Sequence, residues 1–269
     1  MRLIVLMGAT MLCACNATSP KVDNQESMVN EAASVSKLAA QPVQIKAVDG
    51  VTVYATYYPS EQPKALILLF HQAGSSKAEY AAIAPQLQAA GYAALAIDQR
   101  SGGALFGQNQ TVAGIRGMPQ GEEVDYLSAL PDVEAALAWG KANGNGKPII
   151  LWGSSYSASL VFLLAASSSA KDSVKAVVAF SPGEYFSDKK MVEKAAAKIT
   201  VPVFVDQAND KGEIAEAKAI IAATKSTDRQ QYIPATGIHG SSTLNPSKNP
   251  GGATENWQAV LGFLKRVIP

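Results

Sequence analysis

Short apolar runs alternate with amphipathic segments along the chain from residue 43 onward. The first two runs, at 43–48 and 51–58, flank Asp49-Gly50, a dipeptide that favours the tight turn of a β-hairpin. The later runs are continuously apolar, which is typical of strands that are buried on both faces. They predict strands at 65–70, 92–97, 148–152, 175–180, 201–205 and 230–233.

Amphipathic segments follow most of these strands. Apolar residues at 80, 83, 87 and 90 have helical spacing, and Ser76 with Glu79 three residues later has the form of a capping box. Further helices are predicted at 131–141, 157–166, 189–198, 213–224 and 255–267. Strands that alternate with helices indicate an α/β fold, with a mostly parallel central sheet and helices on both faces.

One strand runs directly into a turn rich in small residues, Gly153-Ser154-Ser155-Tyr156-Ser157, and a helix follows. Such a strand-turn-helix unit is a nucleophile elbow, which lifts a hydroxyl beyond the edge of the sheet. The elbow needs small residues two positions before and after the nucleophile. Ser155 meets this requirement, whereas Ser154 would have Tyr156 in one of those places. We therefore predict Ser155 as the nucleophile, against the alternative of a serine-rich helix start.

A base and an acid are expected downstream of the elbow, in the order nucleophile, acid, base. The chain has two histidines, and His239 lies after the last predicted strand in Gly237-Ile238-His239-Gly240, where a loop would deliver it to Ser155. An imidazole with a pKa of about 6.5 suits a general base. Asp206, Asp210 and Glu213 all follow the strand at 201–205, so each is a candidate for the acid.

Composition excludes several other classes of function. The 23 basic and 22 acidic residues give a net charge of +1, which provides no electrostatic reason to expect nucleic acid as a partner. The sequence has no cysteine and histidine cluster with metal-site spacing, so no metal is predicted. It also has no phosphate-binding glycine motif, so no cofactor is predicted.

The N-terminus has the features of an export signal. Arg2 precedes an apolar run at 3–12 that is too short to span a bilayer. Leu12-Cys13-Ala14-Cys15 resembles the bacterial lipoprotein signal, in which cleavage precedes a cysteine that then carries lipid. This resemblance implies an exported protein anchored through Cys15, at the periplasmic face or the cell surface. An ordinary signal peptide with incidental cysteines is the alternative.

The domain organisation follows from these observations. We predict a signal peptide at 1–14, a flexible polar tether at 15–41 and a single domain at 42–269. The sequence leaves the oligomeric state open.

Four motifs in order resemble the α/β-hydrolases, and most closely their dienelactone-hydrolase-like branch. They are Phe70-His71-Gln72-Ala73-Gly74, the elbow, the aspartate-bearing turn after 201–205, and the glycine-flanked His239. The resemblance covers about residues 43–269 and implies an α/β-hydrolase fold. Two positions depart from the pattern: dienelactone hydrolase uses a cysteine nucleophile where this chain has Ser155, and Ser157 stands where glycine is commoner.

The resemblance also orders the candidates for the acid. The family pattern places its acid in the loop a few residues beyond the strand, which is the position of Asp210. Asp206 is the second candidate because it adjoins the strand end, and Glu213 is the third because it suits a helix start. The acid orients the imidazole and stabilises its cation.

An oxyanion hole needs two donors directed at the developing negative charge. On this fold one donor is the backbone N–H of the residue after the nucleophile, Tyr156. The resembling pattern takes the other from the loop after 65–70, where Ala73 is the first choice and Gln72 the second. His71 is expected to support this loop rather than to act as a base.

These residues together predict a serine hydrolase that cleaves a small-molecule carboxylic ester through a covalent acyl-enzyme. Two other readings stay open. One is a non-catalytic binding protein with a hydrolase fold, because a fold does not settle an activity. The other is a peptidase or acyltransferase that uses the same triad.

Overall fold

Eight strands form one sheet within residues 38–115 and 125–269, which the computed structural model describes. The predicted signal peptide, the lipidation site at Cys15 and the tether up to residue 37 lie outside the described residues. The strands are β1 Gln41–Lys46, β2 Thr52–Tyr58, β3 Leu66–Phe70, β4 Ala93–Ile97, β5 Ile149–Ser154, β6 Val174–Phe180, β7 Val203–Asp206 and β8 Arg229–Tyr232.

The sheet is mostly parallel, as the sequence predicts. Its order is β1-β2-β4-β3-β5-β6-β7-β8, with antiparallel pairing of β1 with β2 and of β2 with β4, and parallel pairing elsewhere. The predicted hairpin is confirmed, and Gly50 adopts a positive φ of 85° in its turn.

Helices connect the parallel strands. They are α1 Ala84–Ala89, α2 Gln110–Gly114, α3 Leu130–Asn143, α4 Tyr156–Ala165, α5 Met191–Ala196, α6 Lys211–Ala223 and α7 Ala253–Val267. Short 3₁₀ helices occur at Lys77–Tyr80, Tyr126–Ala129, Ser168–Ala170 and Gly240–Leu244. Among the helices of the described part of the chain, none is long and apolar enough to cross a membrane.

The predicted capping box is only half correct. The Ser76 side chain does cap the helix start, where it accepts a hydrogen bond from the Ala78 N–H at 3.2 Å. Glu79 instead turns away from the cap and accepts a hydrogen bond from the Gln72 N–H at 2.8 Å. The segment is therefore a 3₁₀ turn pinned to the end of β3, and the α-helix begins only at Ala84.

Two apolar cores cover the two faces of the sheet. Along β3, Leu66, Leu68 and Phe70 belong to one core, while Ile67 and Leu69 belong to the other, and all five are buried. This arrangement explains the unbroken apolar runs, because every position of a central strand faces a core. Each such side chain stabilises the fold by about 1.5–3 kcal/mol relative to exposure.

The parallel strands end together at one edge of the sheet. Phe70 pairs with Gly153, Ser154 with Phe180, and Phe180 with Asp206, so four neighbouring strands finish in register. Segments that follow these strands therefore meet beyond the carboxyl edge, where α/β sheets bind their ligands.

Candidate active site

Ser155 lies in a strained turn between β5 and α4. Its φ of 58° and ψ of −128° are unusual for a residue other than glycine, and such strain costs about 1–3 kcal/mol. The Ser155 N–H donates to the carbonyl of Phe180 at 2.8 Å, which ties the turn to the neighbouring strand. A Cβ added to Gly153 would collide with the carbonyl of Ser157, so the turn requires glycine there.

The loop that follows β8 places His239 on the elbow. His239 Nε2 lies 2.8 Å from Ser155 Oγ, across 84 residues of sequence. The next residues fix this histidine loop, since the Ser241 N–H donates to Ser154 Oγ at 2.9 Å. Gly240 adopts a φ of 70°, and a Cβ there would meet Ser154 Oγ at 2.5 Å, so the loop lies directly against the turn.

Glu213 is the carboxylate that contacts the histidine. Its Oε1 lies 2.7 Å from His239 Nδ1, and its Oε2 accepts hydrogen bonds from the Ser181 hydroxyl at 2.7 Å and the Ala208 N–H at 3.0 Å. Burial opposes ionisation, but the hydrogen bonds from His239 and Ser181 outweigh it and lower the pKa of Glu213. Glu213 is therefore ionised and fully bonded at neutral pH.

Asp210, which the resemblance favours as the acid, is not next to His239. Its Oδ1 accepts hydrogen bonds from the Gly212 N–H at 2.8 Å and the Glu213 N–H at 3.1 Å, so it caps α6. An aspartate just before a helix readily takes this role. Glu213, three residues further on, is almost one helical turn away and reaches the imidazole instead.

Asp206, the second candidate, also does not contact the histidine. Its side chain is fully buried at the end of β7, and within the described residues neither carboxylate oxygen has a hydrogen-bond partner. Burial raises the pKa of Asp206 well above its ordinary value. A carboxyl that resists ionisation is poorly suited to pairing with an imidazolium.

Four hydrogen bonds from side chains fix the backbone around residues 71–74, which we call the β3 loop. They join Tyr80 Oη to the Phe70 carbonyl (2.6 Å), Ser157 Oγ to the His71 carbonyl (2.6 Å), His71 Nδ1 to the Gln72 carbonyl (2.8 Å) and the Gln72 N–H to Glu79 Oε2 (2.8 Å). The loop is thus rigidly placed beside the elbow.

These bonds distinguish the two candidate donors of the loop. The Gln72 N–H is already bonded to Glu79, so Gln72 is not available as an oxyanion donor. No acceptor for the N–H of Ala73 or of Tyr156 is found in the part of the chain that the structure describes. The two first-choice donors therefore keep free N–H groups on segments that flank Ser155.

His71 is buried and neutral. Its Nε2 accepts a hydrogen bond from the Gln99 N–H at 2.9 Å, so Nδ1 carries the proton that it donates to Gln72. Burial lowers the pKa of His71 to about 4. Both ring nitrogens bind backbone groups, which agrees with the expected supporting role.

Sequence reasoning missed two residues of this site, Ser181 and Tyr185. Ser181 is buried with a φ of 56°, and its Oγ accepts from the Gly240 N–H at 2.9 Å while it donates to Glu213. Burial raises the pKa of Tyr185 to about 12, opposed by a hydrogen bond with Ser155, so this phenol adjoins the nucleophile. Their position just after β6 was the available signal, because strand ends meet at this edge.

The arrangement can transfer a proton from a serine hydroxyl to an imidazole that a carboxylate orients. Within residues 38–115 and 125–269 no group of three His, Cys, Asp or Glu side chains is placed to bind a metal ion.

The model of the hydrolase family Hydrolase_4, described as serine aminopeptidase, S33, matches residues 61–207, more than half of the chain. The chain belongs to this family. Membership of Hydrolase_4 agrees with the fold and makes the chain a hydrolase of the α/β-hydrolase superfamily. The matched residues include the β3 loop, the elbow and the end of β7, and they stop before Glu213 and His239.

Solved structures support the fold of this Hydrolase_4 member. Dienelactone hydrolase from Anabaena variabilis is 18% identical with a TM-score of 0.68, over 87% of this chain and 100% of that one. A Pyrococcus furiosus esterase is 17% identical with a TM-score of 0.61, over 86% and 91%. A thermostable carboxyl esterase from Bacillus coagulans is 12% identical with a TM-score of 0.64, over 86% and 100%. A search of curated proteins by sequence found no match.

Proposed function

We propose that the protein is a serine esterase that cleaves carboxylic esters through a covalent acyl-enzyme. The observation that carries this proposal is the pair of hydrogen bonds that link Ser155 to His239 (2.8 Å) and His239 to Glu213 (2.7 Å). A hydroxyl, an imidazole and a carboxylate joined in this order are the parts of a nucleophilic triad.

In the proposed reaction, His239 Nε2 takes the proton of Ser155 as Oγ attacks the ester carbonyl. The tetrahedral oxyanion accepts hydrogen bonds from the N–H groups of Ala73 and Tyr156. His239 then gives its proton to the leaving alkoxide, and the acyl group stays on Ser155. Water, deprotonated by His239, attacks this acyl ester and releases the acid and the free serine.

Glu213 fixes the tautomer of the histidine in this scheme. The carboxylate accepts the hydrogen bond from Nδ1–H, so the lone pair of His239 lies on Nε2, which faces Ser155. The same carboxylate stabilises the imidazolium that forms when the proton moves. Its lowered pKa keeps it charged at neutral pH.

A peptidase is the second candidate, because the description of the family is serine aminopeptidase. The same triad hydrolyses an amide if the leaving amine is positioned for protonation. The esterase is preferred because similar structures are titled esterases and dienelactone hydrolase. Parallel assays with p-nitrophenyl esters and aminoacyl p-nitroanilides separate the two activities.

A fluorophosphonate probe tests the proposal on the purified full-length protein. We expect labelling at Ser155, hydrolysis of p-nitrophenyl esters, and loss of both in Ser155→Ala. Labelling that survives in Ser155→Ala would remove Ser155 as the nucleophile. A protein that is neither labelled nor active against esters and amides would be a binding protein with a hydrolase fold. A series of esters of increasing acyl length then defines the substrate.

We further propose that the chain is exported and anchored through lipid on Cys15, with a tether up to residue 41 before the catalytic domain at 42–269. The support is the sequence Leu12-Cys13-Ala14-Cys15 after a short apolar run. Labelled palmitate should be incorporated in bacteria that express the wild type, and not in those that express Cys15→Ala. Equal incorporation in the two would reject the anchor.

A further inference from the structure

Glu79 is a buried carboxyl that the proposed mechanism does not use. It belongs to the 3₁₀ helix Lys77–Tyr80 and is only 3% exposed. Its Oε2 accepts the hydrogen bond from the Gln72 N–H, directly behind the loop that bears the Ala73 donor. Burying a carboxyl is costly unless it is paired, and this one has no cationic partner in the described part of the chain.

The second oxygen of this carboxyl faces a polar space that is only partly bonded. Within the described residues, neither Glu79 Oε1 nor Gln72 Oε1 has a hydrogen-bond partner, although both are buried. Gln72 Oε1 lies 2.9 Å from where a Cβ on Gly240 would be, and Ser154 Oγ lies 2.5 Å from it. The β3 loop, the elbow and the histidine loop therefore meet beside this carboxyl.

Two successive peptide groups of the β3 loop are fixed by side chains. In the first, the His71 carbonyl accepts from Ser157 and the Gln72 N–H donates to Glu79. In the second, the Gln72 carbonyl accepts from the His71 ring. A trans peptide directs its carbonyl and its N–H to opposite sides, so the Ala73 N–H faces away from that ring. Glu79 provides the one ionisable acceptor in this set.

We propose that Glu79 is a positioning residue for the oxyanion hole: its carboxylate fixes the Gln72 peptide and so directs the Ala73 N–H at the substrate. The inference rests on the proposed function. A hydrogen bond to an ionised acceptor is roughly twice as strong as one to a neutral acceptor, so loss of the charge loosens the loop. Glu79 acts through Gln72 and does not contact the substrate.

The charge of Glu79 changes near neutral pH. Burial raises its pKa to about 7, while the Gln72 N–H, the Ser154 and Ser75 hydroxyls and the nearby His239 limit the rise. The oxyanion donor is therefore best fixed above this pH, where the carboxylate predominates.

Other titratable groups face Glu79 from the surrounding elements. Burial raises the pKa of Tyr80 and Tyr156 and lowers that of His71 to about 4, so these three keep one charge state near neutral pH. Asp98, after β4, is neutralised by Lys77 at 2.5 Å. His239 remains, and it is common to the wild type and to every variant compared below.

Glu79→Gln tests the proposal, because an amide oxygen still accepts the Gln72 N–H but carries no charge. We expect kcat to fall about 10- to 100-fold above about pH 8, with KM little changed, because the donor acts in the transition state. The ratio of wild-type to variant kcat should approach one below about pH 6, where the wild-type carboxyl is also neutral. A role in folding alone would give a ratio that does not vary with pH.

Asp188→Asn is the matched control. The Asp188 carboxylate also accepts a backbone hydrogen bond, from the Lys190 N–H at 3.0 Å, but it is exposed on the surface. We expect this variant to show wild-type kcat at every pH.

A Glu79→Gln ratio that is constant with pH, or an unchanged kcat, overturns the proposal. If Glu79→Gln does not fold, the wild type alone decides, because loss of two charge states should make its acid limb steeper than that for one proton. A single-proton slope then refutes the role. These outcomes differ from failure of the proposed function, in which the wild type itself is neither active nor labelled at Ser155.

Discussion

Replacing Glu213 by glutamine removes one charge from the histidine and leaves the side chain the same length. The native carboxylate accepts on both oxygens, from His239 on one side and from Ser181 and Ala208 on the other. An amide accepts on one side only. Its NH₂ group therefore faces either the Ala208 N–H, donor against donor, or Nδ1 of His239, where it stabilises the wrong tautomer.

The size of the effect follows from the charge and its exposure. An ion pair at about 4 Å contributes ~1 kcal/mol in water and ~4 kcal/mol at an effective dielectric constant of about 20. The His239 and Glu213 side chains are 43% and 24% exposed, so the Coulomb energy lies in the lower part of this range. Loss of the correct tautomer adds to it, and replacing a buried triad acid by its amide costs about 10⁴-fold. We expect a loss in kcat/KM of about 10²- to 10⁴-fold, or ~3–5 kcal/mol.

Asp210→Asn is the control for this prediction. Asparagine can accept the same hydrogen bonds from the Gly212 and Glu213 N–H groups, so the cap of α6 is retained. We expect kcat/KM for p-nitrophenyl acetate within about threefold of the wild type. A larger loss in Asp210→Asn than in Glu213→Gln would refute the assignment of the acid. Near wild-type activity in Glu213→Gln would do the same.

Two further variants test the surroundings of the triad. Because burial raises the pKa of Asp206 above its ordinary value of 3.8, ionisation opposes folding; the penalty is absent at lower pH and grows as the pH rises through that value towards the folded-state pKa. Asp206→Asn should therefore stabilise the protein by about 1–3 kcal/mol at pH 7 and by little at about pH 3.5, measured by denaturant unfolding; a pH-independent difference would contradict this. Ser181→Ala loses the hydroxyl that joins Glu213 to Gly240, so we expect kcat to fall about 10-fold or more. Ser181→Gly should lose as much activity yet unfold at a higher temperature than the alanine variant, since glycine accepts the φ of 56°; an alanine variant with full kcat would exclude the positioning role.

The fold could be predicted because its signals are local. The central strands are apolar at every position, as strands between two helical layers must be, and Asp49-Gly50 marks the hairpin. Boundaries were less accurate: α6 begins at Lys211 rather than at 213, because Asp210 supplies the cap.

The identity of the carboxylate beside His239 could not be predicted from spacing. Asp210 and Glu213 are three residues apart, and the choice between them depends on which one the start of α6 uses as its cap. Glu79 shows the same limit. Its spacing from Ser76 fits a capping box, but its partner is Gln72, and only the path of the chain after β3 brings the two together.

The histidine loop has a consequence for biosynthesis. Ser155 and its strained turn are complete once β5, α4 and β6 have formed, whereas His239 becomes fixed only when the Ser241 N–H bonds to Ser154 and the Ser241 hydroxyl accepts from the Trp152 indole at 3.0 Å. A chain still emerging from the ribosome thus holds its nucleophile without a base. Under the proposed mechanism, hydrolytic competence is the last property the molecule acquires, and a prematurely terminated product is inert towards cellular esters.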